Sequence, residues 1–136
     1  MADVVIDASL TAAWCLPDEA TEETAELLKS VGSQMKPIAP TLWSYEVRNT
    51  ILFALRRGRI PPANLPATLA IIDRLRVQVV EPTSFDSILM LAERHRLTVY
   101  DAAYLALAIE TGLPLGTLDK ALRQAAQNVG VATFAL

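Results

Sequence analysis

A chain of 136 residues with 52% hydrophobic side chains is long and apolar enough for one sizeable core, and it reads as a single domain over 1–136. Its net charge of −3 argues against bulk electrostatic capture of nucleic acid, and one cysteine with one histidine excludes internal disulfides, Cys-based zinc sites and His-rich metal sites. Uncharged runs are broken before they reach spanning length, and Asp3 and Asp7 interrupt an N-terminal stretch with no basic start, so no membrane association and a cytoplasmic location are expected.

The first element is a short buried strand over 3–7, β-branched and apolar, ending on Asp7. Ser9 is the expected cap of a helix over 10–16, which Pro17 stops. A helix over 19–31 follows, striped by Ala20, Leu27, Leu28 and Val31 and closed by Gly32. A strand at 37–39 leads into a long helix ending near Arg57, with Trp43, Val47, Ile51, Ala54 and Leu55 on its apolar face and Gly58 at its end. Pro61 and Pro62 precede a helix over 63–74, then a strand over 77–81. Helices over 84–96 and 99–111 follow, then a weak strand at 114–117, a helix over 119–128 and a last strand at 131–134. Strands alternating with helices call for a parallel sheet covered by helices.

Four acids stand where these elements begin or end: Asp7, Glu46, Asp101 and Asp119. In open parallel sheets, ligands bind outside the carboxyl ends of the strands, and all four acids can reach that end. Two carboxylates about 5 Å apart repel by about 3 kcal/mol at an effective dielectric of about 20. Four ionised together therefore need a cation, and an oxygen-only donor set favours Mg²⁺ or Mn²⁺ over Zn²⁺. That arrangement suits phosphodiester hydrolysis. Each acid also has a purely structural explanation. Asp101 completes a capping box with Thr98, Asp119 caps a helix, Asp7 holds a turn, and Glu46 is a solvated helix residue.

The segments VVIDAS (4–9), SYEVRN (44–49), LTVYDAAYLALA (97–108) and TLDKAL (117–122) resemble, in order and spacing, the four motifs of PIN-domain ribonucleases. The resemblance covers nearly the whole chain and is nearest in style to the VapC-type toxins of type II toxin–antitoxin pairs. It implies a PIN-like α/β/α sandwich around a parallel sheet of four to five strands. It implies an endoribonuclease dependent on Mg²⁺ or Mn²⁺, with Asp7, Glu46, Asp101 and Asp119 as both catalytic and metal-binding residues. Ser9 and Thr117, two residues from Asp7 and Asp119, are candidates to orient them, and Asn49 faces the same side as Glu46. The partners it implies are an RNA substrate, a VapB-like antitoxin bound along a helical groove, and a second copy in a homodimer. One departure is Gly116 before Thr117, where the family is usually more apolar; it puts the regularity of that strand in question.

Arg56, Arg57 and Arg59 form a basic cluster, read either as RNA contacts or as charge matching at a helix end. Arg48 and Arg123, near Glu46 and Asp119, can pair with those acids or touch phosphate. Trp14, Leu16, Trp43 and the stretch 51–55 belong either to the core or to a partner surface. Cys15 reads as a buried apolar residue, because His95 stands in a charged, solvated-looking run. Two other classes remain. A phosphatase with an acidic strand-end motif needs a second Asp where Ser9 stands, and a catalytically silent PIN-fold module for RNA or protein binding would keep the fold alone. A dinucleotide-binding role lacks the glycine fingerprint.

Overall fold

The computed structural model describes residues 2–136. Four strands, β1 (Ala2–Ile6), β2 (Met35–Ala39), β3 (Gln78–Val79) and β4 (Leu115–Gly116), are interleaved with helices α1 (Ala8–Cys15), α2 (Glu22–Ser30), α3 (Leu42–Arg56), α4 (Leu65–Leu75), α5 (Phe85–His95), α6 (Val99–Thr111) and α7 (Lys120–Asn128). The strands form one parallel sheet in the order β3-β2-β1-β4, flanked by the helices. This is the helix-covered parallel sheet that the alternation predicts and the α/β/α sandwich that the resemblance implies, with four strands among the described residues.

Burial explains the order. Val4, Val5 and Ile6 of β1 are wholly inaccessible, as a central parallel strand covered on both faces requires. Residues Ala102 to Ala108 of α6 are buried without interruption, and small alanines let this helix pack closely on β1 and β4. Trp14, Leu16, Trp43, Ile51 and Ala54 lie in the core, whereas Leu52 and Phe53 stay exposed on α3. Cys15 is buried, and that burial pushes its thiol up to about 11, which keeps it a protonated, inert thiol.

Several expected boundaries are corrected. Asp7, not Ser9, caps α1 and accepts from the Leu10 N–H at 3.0 Å, so the helix starts earlier. The helix expected over 19–31 begins only at Glu22. Thr21 caps it in a reciprocal box with Thr24, leaving a separate 3₁₀ turn at Pro17–Glu19. The helix expected from 63 opens with a 3₁₀ turn at Pro62–Asn64. Residues 131–134 form no strand. β4 is only two residues long and offers a partner for a single bridge, Leu115 to Thr133. His95 is half-buried, with its Nε2 out of solvent, rather than solvated.

Candidate functional site

The sheet order creates a switch point. From β1 the chain moves outward through β2 to β3, then returns to place β4 on the other side of β1. The connection out of β1 runs to one side and the connection into β4 returns to the other, which opens a crevice above the carboxyl ends of β1 and β4. Register then decides what meets there. Val5 pairs with Leu115 and Ile6 with Gly116, so Asp7 emerges beside Thr117. The Asp7 N–H donates to the Gly116 carbonyl at 3.2 Å and seals that alignment.

Around this crevice lies a cavity of about 390 Å³ lined by Asp7, Glu46, Asp101 and Asp119, with Ser9, Glu19, Asn49, Thr50 and Tyr104 among the others. All four sequence-derived acids, together with Ser9 and Asn49, therefore reach one space. Asp7 is the most enclosed. The Ser9 hydroxyl lies 2.7 Å from its Oδ1 and 2.9 Å from its Oδ2, and the Thr117 hydroxyl donates to its Oδ2. Thr117 Oγ1 in turn accepts from the Asp119 N–H at 3.0 Å, and Ser9 Oγ accepts from the Leu118 N–H at 2.9 Å. Thr117 thus serves the Asp7 carboxylate and the Asp119 backbone, not the Asp119 side chain.

Asp7 and Asp119 act as helix caps alongside their convergence, whereas for Asp101 only the Thr98 half of the expected capping box is present. Asp119 caps α7, accepting from the Leu122 N–H at 2.9 Å. Asp101 sits in the first turn of α6, where its N–H donates to the capping Thr98 hydroxyl at 3.0 Å. Asp7 caps α1. Capping by Asp7, Asp119 and Thr98 therefore fixes the backbones at the mouth of the crevice rather than competing with a site there. Glu46 departs from the solvated reading, since it is half-buried and its Oε1 accepts from the Tyr104 hydroxyl at 2.7 Å.

A buried relay sets where α3 stands relative to Asp7. The Trp43 indole N–H donates to Thr11 Oγ1 at 2.9 Å, and the Thr11 hydroxyl donates to the Asp7 carbonyl at 3.0 Å. Trp43 precedes Glu46 by three residues, so one pin fixes the helix that carries this acid.

The electrostatics are those of crowded anions. Burial pushes Asp7 up from 3.8 to about 6, against the lowering effect of Thr117, Leu10 and Ser9, and the Asp101 charge adds to the rise. Asp101 is raised by burial and by the Asp119 charge; Glu46 is raised by burial and by the Asp101 charge, while the Tyr104 hydrogen bond lowers it. Among the described residues no Lys, Arg or His lines the cavity. An oxygen-only, multiply anionic donor set of this kind fits a hard divalent cation. Among the described residues no group of three or more His, Cys, Asp or Glu side chains already forms a metal cage. Asp7, Glu46 and Asp119 each spend at least one oxygen on a protein donor.

The arginines divide. Arg59 binds Asp18 in two-point fashion at 2.9 to 3.1 Å and Glu19 at 2.7 Å, so it clasps the turn after α1 to the end of α3. Arg56 and Arg57 stand over the exposed Phe53 ring at 6.0 and 5.8 Å. Arg48 donates to the Ser44 carbonyl and Arg123 to the Thr117 carbonyl, and neither takes part in the ion pairs found among the described residues. Sequence reasoning missed Tyr104 and Glu19. Tyr104 stands in the DAAYLALA segment one turn after Asp101, which was the available signal. Glu19 gave none, because its place depends on a turn that reads as helix.

An open parallel sheet with four carboxylates gathered at its switch point defines an α/β protein of the acidic-site kind. The chain belongs to the PIN domain family, whose model matches residues 4–128. It is 35% identical over 125 residues to Ribonuclease VapC3 of Pyrobaculum aerophilum, covering 89% of this chain and 92% of that one. It also resembles the crystal structure of PAE2754 from Pyrobaculum aerophilum, with a TM-score of 0.74 at 26% identity over 97% of this chain and 89% of the other.

Proposed function

We propose that this chain is an endoribonuclease dependent on Mg²⁺ or Mn²⁺ and acts as the toxin of a toxin–antitoxin pair in the cytoplasm. The observation that carries the reading is the convergence of Asp7, Glu46, Asp101 and Asp119 on one cavity with no cationic side chain among the described residues that line it. Membership of the PIN family and likeness to a protein named a ribonuclease support the substrate class. A divalent ion bound there supplies Lewis acidity and an acidified water. The four carboxylates are its ligands in this reading. Ser9 and Thr117 hold both Asp7 oxygens in place, and Asn49 lines the cavity beside Glu46. Water attacks phosphorus in line, and the bond to the 3′-oxygen breaks. The products are a 5′-phosphate and a 3′-hydroxyl.

Arg56 and Arg57 are the cations proposed to meet the RNA backbone, since Arg59 is engaged by Asp18 and Glu19. For the partners, a hollow of about 660 Å³ adjoins the acid cavity and shares Glu46 and Asn49 with it. Leu42, Leu52, Tyr45 and Tyr100 line it, with the two tyrosines 74% and 63% exposed, and such a surface suits an antitoxin segment or a second copy. Nothing in the fold or the relatives favours a silent binding module.

The test is cleavage of single-stranded RNA in Mg²⁺ or Mn²⁺, with a chelator control and Asp101→Asn. Metal-dependent cleavage that falls at least about 100-fold in the variant is expected. Equal cleavage by both proteins defeats the assignment.

A further inference from the structure

We propose that Tyr104 is the positioning residue that holds the Glu46 carboxylate in its ion-binding orientation; this rests on the metal-site reading above. Tyr104 is 1% exposed on α6, so its hydroxyl must find its partner inside the protein. That hydroxyl lines the acid cavity and donates to Glu46 Oε1 at 2.7 Å. Glu46 has the longest and most flexible side chain of the four acids, and it lies on a half-exposed helix face with solvent as its alternative. Asp7 is held by Ser9, Thr117 and its own helix N-terminus, and Asp119 by its cap; Glu46 is held by Tyr104.

The chemistry fits a holder and not a ligand. A phenol is a neutral O–H donor at neutral pH, and here the Tyr104 hydroxyl donates to Glu46 Oε1. It brings no further negative charge into the cavity. By taking Oε1 it fixes where Oε2 points. Tyr104 also lies one turn beyond Asp101 on the same helix, so the position of Glu46 on α3 is referred directly to the acid on α6.

The experiment is a double-variant cycle on Mn²⁺ binding, measured by calorimetry on Tyr104→Phe, Glu46→Gln and the double variant. Removing one hydroxyl is expected to weaken Mn²⁺ binding on the order of tenfold, as loss of a ligand's hydrogen-bond partner generally does. The same change in the Glu46→Gln background is expected to weaken it less than about twofold, because the group through which Tyr104 acts has been altered. A second readout separates this from general damage: kcat for RNA cleavage falls while KM holds. Equal losses in both backgrounds, or undiminished binding by Tyr104→Phe, overturn the proposal. Unchanged Mn²⁺ binding by Glu46→Gln alone overturns it in a different way, by removing Glu46 from the metal site.

Discussion

At the scale of single residues, Asp7 combines two opposed tasks. It is almost completely buried and carries the hydrogen bonds of a helix cap, yet burial still raises it to about 6. Because that value lies above the 3.8 of an exposed aspartate, the ion-free folded state binds a proton more tightly than the unfolded chain does. Its contribution is full below about pH 4, falls as pH rises through about 6, and is lowest at neutrality. The difference amounts to roughly 3 kcal/mol. Asp7→Asn is therefore expected to raise the melting temperature of the ion-free protein at pH 7 and to remove much of the slope between pH 4 and 6. The measurement is thermal unfolding across that range, and a less stable variant at pH 7 contradicts it. The raised Glu46 and Asp101 act with the same sign.

Residue identity was the most legible level of this protein. The four acids were legible as candidates from their places at strand ends and in early helix turns, and Ser9, Asn49 and Thr117 from the resemblance of the motifs that carry them. Tyr104 was not, because a tyrosine in an apolar helix reads as core, and here it is core with its hydroxyl in the site. Nor could Arg59 be read, since the acids that engage it lie about 40 positions away.

At the scale of elements, the weak-looking strand near 115 has a steric reason. A Cβ at Gly116 would lie 2.8 Å from Leu10 Cδ2, in the wholly buried side chain of α1 that packs over β4. Glycine there lets α1 come close enough for Asp7 to meet Thr117. Gly116→Ala is expected to cost about 1–3 kcal/mol, read as a lower denaturation midpoint, and to reduce activity through the shifted Asp7. The relay from Trp43 through Thr11 to the Asp7 carbonyl is the second element-scale device. Thr11→Val leaves the Trp43 N–H buried without its acceptor, at an expected cost of about 1–3 kcal/mol. Chemical denaturation checks this, and an unchanged midpoint removes the relay from the account. Element ends were the least legible part. α4 and α5 close on Arg76 and Arg96 with φ of 50° and 54°, left-handed positions that glycine would ordinarily mark. The supposed last strand failed because pairing depends on the length of its neighbour, which no local pattern reveals.

At the scale of the whole molecule, alternation of strands and helices was enough to give a parallel sheet, but not its order. The β3-β2-β1-β4 arrangement makes the crevice by leaving β1 central and bringing β4 back beside it. The Asp101 charge acts on Asp7 and Glu46 and the Asp119 charge on Asp101, so in the metal-site reading proposed above ion binding and folding are linked. Mg²⁺ or Mn²⁺ at about 100 times its dissociation constant is expected to stabilise the fold by about 2.7 kcal/mol. A thermal shift with metal that disappears in Asp101→Asn checks this. An equal shift in both proteins places the ion elsewhere.

The most direct test of the acid cavity as the reacting centre pairs activity with stability in one variant. Asp7→Asn and the unaltered protein are compared for single-stranded RNA cleavage in Mg²⁺ and for melting temperature without metal. At least about 100-fold slower cleavage is expected from a variant that melts at the same or higher temperature. Undiminished cleavage by a well-folded Asp7→Asn contradicts it.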